Sequence, residues 1–156
     1  MNGHREVLLR QEARFVLWIL RCGAAAAAGR DDERNLLERG LAQASASATA
    51  RACWRLSEAL CLLGSDRIDW HHPQCDCVSS GEMAVLHALA SVAAQLEPTE
   101  QPPEQWWGVI VPMESVLFVD RLARTWLIQL HRAGIGYPTP PQLLSVYDES
   151  VSTRLQ

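Results

Sequence analysis

Ser79-Ser80-Gly81-Glu82-Met83-Ala84-Val85-Leu86-His87-Ala88-Leu89-Ala90-Ser91-Val92-Ala93-Ala94-Gln95-Leu96 is the stretch whose reading decides the fold. Ser79 and Glu82 stand at the S-x-x-E spacing of a capping box. There the serine hydroxyl takes an amide of the first turn, and the glutamate reaches back to the serine amide. Behind them Met83, Leu86, His87, Ala90 and Ala94 recur at the period of one helix face. The pattern predicts a helix through about Leu96, and nothing in it alternates as a strand would.

Working outward, Pro98-Thr99-Glu100-Gln101-Pro102-Pro103 reads as a linker, and Glu104 to Val111, with Trp106-Trp107, as a short helix or turn. Pro112 suits the first position of a further helix over 113–133. Its apolar side is Val116, Val119, Ala123, Trp126, Leu127 and Leu130; Asp120–Arg124 reads as a solvated i,i+4 pair. Gly134 stops that helix, and Gly136-Tyr137-Pro138-Thr139-Pro140-Pro141 must be extended.

Upstream, residues 4–28 read as a helix with Glu6, Arg10, Arg14 and Arg21 on one stripe and Leu8, Phe15, Ile19, Cys22 and Ala26 on another. Five alanines precede Gly29, and Asp31 and Asp32 are candidate N-caps for a second helix over 32–63. Gly40 and the Ala44–Ala50 alanine-serine run make a break plausible in that span. The expectation is an all-α, single-domain irregular four- to five-helix bundle over 1–136. An extended, flexible Pro-rich C-terminal tail follows at 137–156.

Composition agrees. With 156 residues, 48% apolar and 21% charged, the chain can bury an ordinary core and is soluble. A net charge of −4 argues against a general nucleic-acid binder. All fourteen basic residues are arginine, so neither a P-loop nor a lysine Schiff base is available. Cys22, Cys53 and Cys61 lie among apolar residues of helices, as reduced cysteines do, which points to the cytoplasm. Arg21 interrupts the apolar core a signal peptide would need, and no run approaches the ~20 residues of a membrane span.

The chemistry concentrates in His71-His72-Pro73-Gln74-Cys75-Asp76-Cys77. Two thiols one residue apart can converge on one ion at about 2.3 Å, with an imidazole nitrogen at about 2.0–2.1 Å. The expected metal ligands are His71, His72, Cys75 and Cys77, with Cys61, Asp76, His87 or His131 as substitutes for a fourth. The donor set suits zinc, with iron as the alternative. The spacing matches no zinc-finger pattern, and packing without special chemistry is the competing reading. A reactive thiol is the other alternative, since these cysteines precede a helix N-terminus.

No catalytic motif is present, so no catalytic residue is assigned. The leading expectation is an accessory or regulatory protein that meets another protein or itself, with zinc holding the 71–77 loop. The alternative is a metal- or thiol-dependent sensor or enzyme using Cys75 and Cys77. A weaker one is a DNA-associated regulator using the arginine stripe. Trp106-Trp107 could be an exposed docking surface or a cap on the core.

Overall fold

The computed structural model describes residues 11–96 and 104–138. Its α-helices are α1 (Gln11–Ala27), α2 (Asp31–Gln43), α3 (Ala50–Leu63), α4 (Ser80–Ala94), α5 (Glu104–Ile110) and α6 (Val116–Arg132). Single 3-10 turns, Ser47–Thr49 and Met113–Ser115, lead into α3 and α6, and among the described residues there is no strand. The all-α, single-domain expectation holds. Among the described residues six α-helices replace four or five because the 32–63 span divides in two.

Helix ends explain the division. After α1, Gly29 adopts φ 90°, while its N–H donates to Ala26 O and that of Arg30 to Ala25 O. That is a Schellman cap with glycine in the left-handed position. Gly134 repeats it after α6 at φ 82°, with bonds to His131 O and, from Ile135, to Leu130 O. The break after α2 uses the same device without glycine. Ser45 takes φ 56°, its N–H meets Ala42 O, and Ala46 N–H meets Leu41 O at 2.7 Å. At the start of α2, Arg30 is the N-cap and makes no side-chain cap bond. Asp31 and Asp32, expected as caps, instead occupy the first turn, where their charge complements the helix dipole.

α4 is the central helix. Leu86, Ala88, Leu89, Ala90 and Val92 are all fully buried, so the helix is enclosed on more sides than one apolar face would require. It packs against α1, α5 and α6, while α1 lies on α2 and α3, and α3 on α6.

Both ends of α4 are held by buried arginines. At its C-terminal end Arg124 donates to Gln95 O, and its Nε lies 2.8 Å from Asp120 Oδ2. Trp107 Nε1 donates to Asp120 Oδ1 at 3.1 Å. Asp120 is 1% exposed and Arg124 8%, so this pair is interior and not the solvated one expected. Of the two readings open for Trp106-Trp107, the cap on the core is the one that fits. Trp107 is fully buried, and Trp106 stacks on His87 with centroids 4.4 Å apart.

The first residues set aside as tail belong to the bundle, since Tyr137 OH donates to Leu86 O at 3.0 Å and Pro138 is buried. The expected linker, 98–103, and the remainder of the tail, 139–156, lie outside the described residues, as do Glu97 and residues 1–10. Among the described residues no helix is long and apolar enough to cross a membrane.

Candidate functional site

The segment between α3 and α4 carries the histidines and cysteines, and a buried ion pair fixes it. Arg21 reaches from α1 to Glu82 in the first turn of α4; they are 3% and 0% exposed. Its Nε donates to Glu82 Oε1 at 2.8 Å and Nη2 to Oε2 at 2.9 Å. Nη1 donates to Cys75 O at 2.7 Å and, more weakly, to His72 O at 3.4 Å, while Nη2 also donates to Cys77 O. A guanidinium has five N–H donors, and all are used.

Glu82 is equally saturated. Oε1 also accepts the His71 N–H at 3.0 Å, and Oε2 accepts the Ser79 N–H at 3.0 Å. Glu82 N–H donates to Ser79 Oγ at 3.1 Å, completing the capping box read from the sequence. One carboxylate thus caps α4, neutralises Arg21 and anchors the loop backbone. A buried pair of this kind needs such completeness, because each unpaired group would carry a desolvation cost.

Gly81 closes the arrangement. A Cβ there would sit 2.5 Å from Arg67 O and 2.8 Å from Ile68 Cα. Only glycine lets the backbone leaving α3 press against the start of α4.

Of the four expected metal ligands, His71 and Cys75 are brought together, with Cys75 Sγ 3.8 Å from His71 Nδ1. Cys77 meets them through its backbone: its N–H donates to Cys75 Sγ at 3.4 Å, and its carbonyl lies 3.1 Å from His71 Nδ1. His72 is exposed, and its Nδ1 accepts the Gln74 N–H at 3.1 Å. Among the described residues no three His, Cys, Asp or Glu side chains are grouped so as to hold a metal ion. The four-ligand centre of His71, His72, Cys75 and Cys77 is not assembled here. Backbone carbonyls gathered by Arg21 do what the ligand bonds were expected to do.

The substitute ligands are scattered. His131 and Asp76 are exposed, and His87 is engaged with Trp106 while burial lowers its pKa. Burial pushes the Cys22 and Cys53 thiols up to about 12 and raises that of Cys61 as well. Cys22 and Cys53 are the small apolar core residues their sequence surroundings imply.

Arg21, read in the sequence as part of the arginine stripe and not of the buried face, is the residue that the structure moves inside. The stripe loses Arg21 to the interior; Arg14 is exposed, and Glu6 and Arg10 lie outside the described residues. The available signal was its surroundings: residues three and four away on the helix are Leu17, Trp18, Ala24 and Ala25. The chain matches no protein-family model, no curated protein and no solved structure.

Proposed function

We propose that this chain is a cytoplasmic accessory or regulatory interaction protein, and that its partner is a second copy of itself. One face at the start of α6 carries the reading. Leu117, Phe118 and Arg121 are spaced to share a face of α6, Glu114 lies in the 3-10 turn leading into it, and all are exposed, Leu117 at 42% and Phe118 at 56%. Exposed Val109 and Met113 add apolar surface at the adjoining corner. Such grouping marks an association surface more often than scattered exposed residues do.

The face is also self-complementary. Two copies meeting antiparallel about a two-fold axis set Glu114 of each against Arg121 of the other, with Leu117 and Phe118 between them. An apolar centre with a charged rim is the usual anatomy of such contacts. Its modest size implies a weak, concentration-dependent dimer.

Sedimentation velocity across a concentration series tests this. The native chain shifts from monomer toward dimer. Arg121→Glu weakens the dimer at least about tenfold, because like charges then face each other, and Glu114→Arg with Arg121→Glu restores it. A monomer throughout, or a dimer indifferent to both changes, would sink the reading.

The Cys75–His71 juxtaposition favours a second reading, a thiol- or metal-dependent sensor. Cys75 is half-buried beside an imidazole and a backbone donor, a pairing suited to oxidation chemistry or to partial zinc, or iron, ligation. Elemental analysis after purification without added metal, with thiol titration of Cys75→Ser, tests it. Metal-free protein with an inert Cys75 ends that reading.

A further inference from the structure

A cleft of about 470 Å³ opens beside the Arg21 anchor, between the C-terminal half of α1, the end of α3 and the segment leading to Pro73. Its volume falls within the range of small-molecule sites. One side is made of Ala24, Ala25 and Ala28, part of the alanine run ahead of Gly29, and Ile68 and Trp70 supply further apolar walls. Small side chains on α1 leave the space open; a longer apolar residue there would fill it.

The polar lining of this cleft includes the donors Arg30 and His72, with Cys61, Ser65 and His71 beside them. Arg30 and His72 are exposed, and among the described residues no carboxylate lines the cleft, although the chain as a whole is acidic. The His72 tautomer follows from its bond: Nδ1 accepts the Gln74 N–H, so the neutral ring carries its proton on Nε2 and is a donor there. Arg21 also lines the cleft, but its donors are spent on Glu82 and the loop carbonyls. Among the described residues lining the cleft, the guanidinium not committed to Glu82 and the loop carbonyls is therefore that of Arg30, with the His72 Nε2–H as a neutral donor.

We infer that this cleft binds a small aromatic carboxylate, the ring against Ala25 and Trp70 and the carboxylate taken by Arg30 and His72. A planar carboxylate matches the guanidinium fork, and the apolar body gains by leaving water. The site uses none of the residues of the 114–121 face, so it stands or falls independently of self-association.

Benzoate is the probe and benzyl alcohol its uncharged counterpart, followed by NMR amide shifts in the full chain. Benzoate saturates shifts clustered at residues 24–30 and 68–73, with a dissociation constant on the order of 1 mM for so small a ligand. Arg30→Met and the alcohol each weaken binding at least about tenfold, as loss of the ionic partner requires. Ala25→Leu abolishes it by filling the cleft. Arg121→Glu leaves it unchanged. Equal binding of acid and alcohol, undiminished binding by Arg30→Met, or no saturable shift in the native chain overturns the assignment.

Discussion

Arg21 shows how much one side chain can organise when every donor it has is used. It joins α1, the first turn of α4 and three carbonyls of the intervening loop, and its acidic partner lies 61 residues away. Removing one member of such a pair leaves the other charged and buried. Arg21→Met is therefore expected to cost about 3–5 kcal/mol in urea unfolding. Cys75→Ser and Cys77→Ser, which leave the backbone bonds in place, are expected to cost less than about 1 kcal/mol. If the cysteine changes prove the more damaging, the loop is not held by Arg21. Little of this was legible in advance. Glu82 could be read as a cap because its partner is local, but nothing in the local pattern links it to a guanidinium on α1.

At the scale of elements, the devices written in a few adjacent residues were the readable ones. Gly29, Gly134 and the Ser79/Glu82 box each end or begin a helix where their residue types imply. The break at Ser45 was harder, because a serine in the left-handed region carries no marker that separates it from its neighbours in the alanine-serine run. Gly81 is a different case, since its requirement comes from the backbone of a distant segment. Gly81→Val should force Arg67 and Ile68 away from α4 and destabilise the chain by about 1–3 kcal/mol. A thermal scan checks this, a loss of each 1 kcal/mol lowering Tm by about 2–4 °C at this chain length. An unchanged Tm would mean that the junction yields without cost.

For the whole molecule, the packing implies unequal local stability. α4 is enclosed and tied at both ends by arginines, whereas α2 buries only Leu37 and Leu41 of its side chains. Hydrogen exchange should therefore find the α4 amides opening only with global unfolding, and those of α2 opening at lower free energy. Matching protection in the two helices would contradict this hierarchy. The fold class was legible because helix periods, caps and glycines are local signals that agree with one another. A metal site is less legible, because four side chains within seven residues must aim at one point; here His71 and Cys75 meet while His72 is exposed.

The Asp120–Arg124 pair has a practical corollary. Gln95 O and Trp107 Nε1 both end on it, so one carboxylate–guanidinium unit of α6 ties the end of α4 and helix α5 to the same point. The indole N–H resonance of Trp107 is thus a built-in reporter of the junction, since loss of its bond to Asp120 would shift it.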